Sequence, residues 1–329
     1  MVRIAIIGAG MSGISLSLML SKKYSIKVFE KSDRAGGRMS TRRISPFIFD
    51  HGAQYFKIND PDFKKFLSPL IAKKIIKPWL CKYIKIIGKN IIKKETWNIR
   101  KKYYVGVPNM DSIVKYLAKD CNISLETKIN SVKKIKDKWH LFDENKTFLG
   151  QYDWVVYAIP IEQTCSMISR NISFYFSISS IKMIGCYSLM LGMNQSLKLD
   201  YDVALIENED ISWLAVNNSK PERKSGYSLL INSSYNYAKK NIHTPKERVL
   251  NHLLNTTSTI IKKDLSEAKI KNLHQWRYVE TKQYPKENYF IDKIQKIALC
   301  GDWCIDSRVE GAFISAKELS ETLNNIKMN

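Results

Sequence analysis

The chain has no cysteine framework, no long apolar run, no low-complexity tract and few acidic residues, and each lack removes a class of protein. Its six cysteines (Cys81, Cys121, Cys165, Cys186, Cys300 and Cys304) are scattered along 329 residues. That pattern fits free buried thiols rather than a disulfide-stapled secreted domain. Cys300 and Cys304 form a C-x3-C pair, but no second cysteine or histidine pair stands nearby to complete a zinc site. The five histidines show no ligand spacing, so no metal is expected. No apolar run reaches the ~20 residues of a bilayer-spanning helix. Met1-Val2-Arg3 and the apolar residues after it superficially resemble a signal peptide, yet no A-x-A site follows and two glycines interrupt the run. A cytoplasmic protein without a membrane segment is expected. At 44% hydrophobic residues the chain can bury a sizeable core, which excludes disorder. Its length suits two structural units, or one α/β domain with an insertion.

Acids are outnumbered: 31 Asp+Glu face 53 Lys+Arg, a net charge of +22. Nucleic acid, an anionic membrane surface or an anionic small substrate would each suit such a charge. Lysine far outweighs arginine, which suits a compositional bias more than bidentate base or phosphate recognition. No helix-turn-helix, zinc-finger or RNP-like pattern accompanies it, so general surface charge and no nucleic-acid partner are expected. Basic residues are densest from Lys73 to Lys102. There lysine alternates with isoleucine, as in Lys82-Tyr83-Ile84-Lys85-Ile86-Ile87, which predicts strands with a solvated lysine face.

What is present begins with Val2-Arg3-Ile4-Ala5-Ile6-Ile7, a β-branched apolar run of the kind found in central parallel strands. Gly8-Ala9-Gly10-Met11-Ser12-Gly13 follows without a gap, and residues 14–22 read as a helix. Gly8 permits the tight turn, Gly10 lets the backbone approach a pyrophosphate, and Gly13 allows close packing of helix on strand. The helix N-terminus then turns its unpaired N–H groups to the phosphates, with Met11 and Ser12 in the same loop. Ser25-Ile26-Lys27-Val28-Phe29-Glu30 reads as a second strand. Its closing acid, with Lys31 beside it, is placed to accept from the hydroxyls of a ribose without a 2′-phosphate. Next comes Gly36-Gly37-Arg38, where two glycines let the chain pass close to a cofactor and Arg38 can pair with a pyrophosphate oxygen.

Glu30 followed by Gly36-Gly37-Arg38 resembles the extended signature of the flavin amine oxidase and protoporphyrinogen oxidase type of enzyme, which selects FAD over NAD as cofactor. The run continues as Met39-Ser40-Thr41-Arg42-Arg43 and then Phe49-Asp50-His51-Gly52-Ala53-Gln54-Tyr55-Phe56. Together these segments resemble the renalase family, its bacterial members in particular. Cys300-Gly301-Asp302-Trp303-Cys304, Arg308-Val309-Glu310-Gly311-Ala312-Phe313 and His274-Gln275-Trp276-Arg277-Tyr278 strengthen the resemblance. Tyr104-Val105-Gly106-Val107-Pro108 and Asp153-Trp154-Val155-Val156-Tyr157-Ala158-Ile159-Pro160 also correspond. Nearly the whole chain is covered, although residues 164–273 carry no sharp motif.

The expected fold is therefore α/β: a Rossmann-type FAD-binding domain with an interleaved mixed-sheet substrate domain, the two-domain arrangement of amine oxidases. Residues 1–56, 101–162 and 295–329 are expected to form the FAD-binding domain, and 57–100 and 163–294 the substrate domain. Substrate-domain strands are predicted at 183–191, 203–206, 212–216, 227–231 and 274–279. A helix is predicted from Pro245 to about Lys262, with Thr244 as N-cap and Pro245 at the first helical position.

Gly301 and Asp302 follow a short strand, 298–300, and Asp302 can accept from the ribityl chain. The last helix, 309–323, opens at Glu310-Gly311-Ala312 and can aim its N-terminus at the flavin pyrimidine ring. Glu310 can equally be a helix-terminal charge without a ligand role. Gly52-Ala53-Gln54 reads as a backbone approach near the isoalloxazine, and the strand 128–132, with Val132, as the one whose backbone meets the adenine. Tyr55, Trp276, Arg277 and His51 are pocket candidates, with an Arg or Lys near the mouth expected to meet substrate phosphates. Core packing for Trp276 and His51, and a structural ion pair for Arg277, stand beside those roles. The flavin is expected to be non-covalent, since no Cys or His stands in a motif associated with a covalent link. The resemblance implies oxidation of 2- and 6-dihydro isomers of NAD(P)H, by hydride transfer to flavin N5 with O2 as acceptor and H2O2 as product. An FAD-dependent oxidase of small amines, and a flavin-binding module without turnover, stay open as alternatives.

Overall fold

Arg3–Ile7 is the central strand of a six-stranded sheet, and four of its five residues are buried, as a strand covered on both faces requires. The structure, a computed structural model, describes residues 1–88, 90–224 and 226–326. Ser25–Phe29 and Trp154–Tyr157 flank the central strand in parallel. Ile123–Ser124 extends one side and Ile297–Leu299 the other, also in parallel, and Phe290–Asp292 closes the second edge antiparallel. Helices Met11–Leu20 and Val309–Asn325 share a core with Ile4 and Ile6 through Ile14, Leu20, Leu319 and Leu323. On the opposite face, Ala5, Ile7 and Val155 pack with Trp139, Leu141 and Tyr152 of a three-stranded antiparallel sheet, 129–152.

The first helix starts at Met11 rather than Ile14, with Gly10 at its N-cap and no side chain capping it. The start is set by Gly10, whose extended backbone (ψ −175°) hands the chain straight into the helix.

A seven-stranded mixed sheet forms the second layer, in the order Ile270–Thr281, Met183–Met193, Tyr227–Ser233, Ile211–Val216, Val203–Glu207, Cys81–Ile87, Asn90–Trp97. All its pairings are antiparallel except Val203–Glu207 with Cys81–Ile87. The lysine-isoleucine alternation thus builds its outer hairpin, Asn90–Trp97 lying almost wholly in solvent. The helix expected from Pro245 runs Lys246–Ile261. Pro245 takes the cap position itself, and the Thr244 hydroxyl donates to Asn241 Oδ1 instead of capping.

Of the helices that the sequence did not lead one to expect, Pro61–Ala72 is the longest among the described residues. Pro61–Ala72 has a full N-terminal signal: the Asp60 carboxylate accepts from Phe63 N at 2.8 Å, and Pro61 stands at the first position. It packs on the last helix, the rings of Phe63 and Phe66 lying 5.0 and 4.9 Å from Phe313. Residues 57–100 are thus shared: this helix lies on the Rossmann layer, the short strand Ile76–Pro78 pairs with Tyr104–Gly106, and strands Cys81–Ile87 and Asn90–Trp97 join the mixed sheet. Among the described residues no helix is long and apolar enough to cross a membrane.

The two layers are joined at a fully buried charge cluster. The Asp50 carboxylate accepts from Arg223 (2.6 Å), Lys220 (3.4 Å), the Thr41 hydroxyl (2.7 Å) and Met110 N (3.0 Å). Burial works to raise the Asp50 pKa, but Lys220, Arg223 and the Met110 N–H outweigh it and hold the carboxyl at about 2. Burial pulls the Lys220 ammonium down to about 8 against the attraction of Asp50. Removing one partner of such a cluster strands the others without water. Asp50→Ala is expected to lower stability to urea by about 3–5 kcal/mol; a loss below about 1 kcal/mol would show that the cluster does not hold the layers together.

Candidate functional site

Both layers open onto one cleft of about 1600 Å³. A site for one drug-sized ligand occupies roughly 300–1,000 Å³, so this cleft has room for a dinucleotide and a second molecule. Its Rossmann side is built from strand ends, as in other open α/β sheets. Gly8, Gly10, Met11 and Ser12 line it, with Glu30 and Lys31 at the end of the second strand and Gly37 and Arg38 packed beside the glycine loop, where Gly36 N donates to Ala9 O at 2.9 Å. Gly8 holds a φ of +106° that other residues avoid, and a Cβ there would meet Ala158 O at 2.6 Å. A Cβ on Gly13 would stand 1.9 Å from Gly8 O, so only glycine lets the helix sit this close to the strand. Gly10 differs: a Cβ there would meet nothing within 4 Å, leaving its backbone open to the cleft.

Glu30 is buried, and its carboxylate accepts from Ala9 N and Ser32 N, both at 2.9 Å. These bonds fix the acid beside the glycine loop while each oxygen keeps a lone pair for a ligand hydroxyl. Arg38 donates to Val279 O at 2.8 Å and forms an ion pair with Asp302. Ala53 N donates to Arg38 O at 2.9 Å, and a Cβ on Gly52 would lie 1.9 Å from the same oxygen. The Gly52-Ala53 turn is thereby pressed against the Gly37-Arg38 loop, and all four residues line the cleft.

The mixed sheet supplies the other wall, including Cys186, Ser188, Ser212, Asn232, Asn272 and His274. His51, His274 and Trp276 form a ring cluster there, with centroids 4.3–5.2 Å apart. The His51 carbonyl accepts from Trp276 Nε1 (2.9 Å) and from the Ser188 hydroxyl (3.0 Å), which ties this wall to the Gly52-Ala53 turn. Burial, then His274 and Arg42, hold the His51 pKa at about 3. Burial, then Arg42 and Lys246, hold that of His274 at about 4. Both imidazoles are neutral at pH 7.

Of the residues singled out from sequence, the cleft brings together Gly8, Gly10, Met11, Ser12, Glu30, Lys31, Gly37, Arg38, His51, Gly52, Ala53, Trp276, Arg277, Gly301, Asp302 and Ala312. Gly13 lies beneath the loop. Gln54 turns into the core, donating to Asp50 O and Gly52 O and accepting from Lys220. Tyr55 packs among Trp97, Tyr103 and Trp213 at ring distances of 4.8–5.9 Å, and burial pushes its hydroxyl up to about 12. Val132 packs on the core of the three-stranded sheet, and residues 127–130 line the cleft instead. The Glu310 carboxylate accepts from Asp60 N (2.7 Å) and Asn59 Nδ2 (3.0 Å), fastening the loop before helix Pro61–Ala72. A Cβ on Gly311 would meet Asp306 Oδ1 at 2.2 Å, so its task is packing. Arg42 and Asn232 line the cleft without having been singled out; for Arg42 the signal was a cation four residues past Arg38 in the same loop.

Residues 6–70 match the family model of the NAD(P)-binding Rossmann-like domain. Fold and site define a Rossmann-like dinucleotide-binding unit joined to a mixed sheet that walls the cleft. The chain is similar to renalase from Mus musculus, at 21% identity over 98% of this chain and 99% of that one. A 1-hydroxycarotenoid 3,4-desaturase from Flavobacterium sp. is 41% identical over 54 residues, 16% of this chain and 11% of its own length. Two solved structures share the fold at 11% identity. One is an Exiguobacterium protein provisionally named protoporphyrinogen oxidase (TM-score 0.79, covering 98% of each chain). The other is putrescine oxidase bound to putrescine (TM-score 0.71, covering 98% of this chain and 99% of that one).

Two outcomes follow from this geometry. Gly13→Ala must push the helix off the strand; it is expected to cost about 1–3 kcal/mol in urea unfolding and to weaken adenine-dinucleotide binding at least tenfold, and unchanged binding would contradict the packing argument. His51 and His274 have folded pKa values below the ordinary 6.5, so the unfolded chain takes up protons first as pH falls. Stability should decline from pH 6.5 down toward 4, on the order of a few kcal/mol. In a His51→Asn/His274→Asn double variant the slope should flatten, as read by denaturant midpoints across pH; an unchanged slope would mean that these rings are not buried neutral.

Proposed function

We propose that the chain is an FAD-dependent oxidoreductase that takes a hydride from an isomeric dihydronicotinamide dinucleotide. The observation that carries the reading is the charge of the substrate wall. Among the described residues, those that the mixed sheet contributes to the cleft include Arg277 and no carboxylate. Arg42 stands on the hairpin beside that wall, while its neighbour Arg43 is paired with Asp111. Such a wall attracts phosphate and repels an alkylammonium.

The residues fit a non-covalent FAD. The open Gly10 backbone and the uncapped helix N-terminus would hold its diphosphate, Glu30 the adenosine ribose, and residues 127–130 the adenine side. Arg38 and Asp302 would meet the diphosphate and ribityl chain, and Gly52-Ala53 would let the ring system lie against the backbone. The opening of helix Val309–Asn325 at Ala312 would face the pyrimidine end. When bound, FAD would supply the two-electron acceptor, with O2 as the final acceptor. The protein's task is then to hold the donor ring beside it and keep water out. Neutral His51 and His274 suit that task, because neither places a cation beside a carbon that gives up a hydride. We divide the chain accordingly into a cofactor unit (1–56, 101–162, 295–329), on which helix Pro61–Ala72 packs, and a substrate unit formed by the mixed sheet and its helices.

The rings around Tyr55 favour a second reading, an amine oxidase, since such clusters hold cations. Against it, Lys57 already sits 5.1 Å over the Tyr103 ring, and the cluster is not part of the cleft lining. Anaerobic mixing decides between them. The flavin is expected to bleach with 6-dihydro-NAD and to stay oxidised with putrescine; bleaching by putrescine alone would establish the amine oxidase.

A further inference from the structure

Arg42 and Arg43 are adjacent on the short strand Arg42–Ile44 and have different surroundings. Arg43 is neutralised, donating through both terminal nitrogens to Asp111 at 2.9 and 3.0 Å. Arg42 has no carboxylate partner among the described residues. Its NH2 lies 3.5 Å from Nδ1 of His274, and both side chains line the cleft. A guanidinium can only donate, so Nδ1 of His274 is the acceptor and a neutral ring carries its proton on Nε2. No acceptor for that Nε2–H is found among the described residues. Arg42 and Lys246 are the charges that act on His274, and both are positive.

We propose that Arg42 and the Nε2–H of His274 form a substrate-specificity site that recognises a phosphate oxygen of the donor dinucleotide. Every hydrogen-bonding group the pair offers is a donor, so its complement is an oxygen that only accepts. A guanidinium prefers an oxyanion to a carbonyl, since charge-assisted bonds are roughly twice as strong as neutral ones. The arrangement is also prebuilt. The strand holds Arg42, and the antiparallel pairing of His274 with Ser188 holds the imidazole. Arg42 orients the ring, so its loss removes one contact and frees the other. This site rests on the dihydronicotinamide reading, and its test is built to fail separately from it.

Flavin-loaded wild type, Arg42→Ala, Arg42→Lys and His274→Gln are reduced anaerobically with two donors. One is 6-dihydro-NAD; the other is the 6-dihydro form of 1-methylnicotinamide, which has no phosphate. In Arg42→Ala the second-order rate constant for the dinucleotide should fall at least tenfold, through weaker binding, while that for the phosphate-free donor changes less than about twofold. Arg42→Lys, which keeps the charge, should recover part of the loss, and His274→Gln should lose less than Arg42→Ala. An equal fall for both donors would mean a general structural role and would overturn the site, as would no fall for either. A variant that loses FAD but keeps the dinucleotide rate in its loaded fraction would assign Arg42 to the cofactor and also overturn it. Should neither donor reduce wild type, the functional reading fails and the site is judged by calorimetry of ADP on the flavin-loaded protein. Binding at least tenfold weaker in Arg42→Ala would uphold the site, and equal or absent binding would overturn it.

Discussion

A single carboxylate, Asp50, connects the parts of this molecule that make its cleft. It stands at the end of the hairpin that leaves the Rossmann layer, and its partners come from three separate segments: Thr41, the turn at Met110, and the Lys220–Arg223 loop of the mixed sheet. Two cations around one buried anion leave a surplus of positive charge out of water, which is costly unless the geometry is closely kept. That cost is what makes the joint specific, because a shift of either layer would leave a charge unpaired. Through Gln54, which Lys220 also holds, the same joint fixes the Gly52-Ala53 turn in the cleft floor.

The division of labour in the cleft follows from where charge is allowed. On the Rossmann side, acids and bases are paired with backbone or with one another: Glu30 with Ala9 N and Ser32 N, Arg38 with Asp302. On the mixed-sheet side the wall is neutral and aromatic around His51, His274 and Trp276, and cationic at Arg42 and Arg277. Room for two ligands, a backbone-lined half and a half that favours anions together describe a chamber suited to a dinucleotide and a second, anionic molecule.

Local signals in the sequence were well expressed. The first strand, glycine loop and Glu30 could be read because strand, turn and helix chemistry all act within about thirty residues, each step fixing the next. The lysine-isoleucine alternation revealed the outer hairpin for the same reason. The Asp50 cluster was hidden because its members lie 170 and 173 positions apart, and nothing local distinguishes a buried Lys220 from the many solvated lysines. Glu310, Gln54 and Tyr55 stand in matched motifs, yet each serves packing or the backbone of a neighbouring segment, which a motif cannot tell from contact with a ligand. Helix Pro61–Ala72 was legible in principle, since Asp60 and Pro61 make a clear start, but Pro69 inside it and its lysines obscure the apolar face that Phe63, Leu67 and Leu70 bury.

The central claim is that this cleft holds FAD without a covalent bond. Its most direct measurement is the absorption spectrum of the purified protein, followed by chromatography of the supernatant after acid precipitation. The structure predicts a flavin spectrum and release of FAD at one molecule per chain. Colourless protein that cannot be reconstituted with FAD, or flavin that stays with the precipitate, would contradict it.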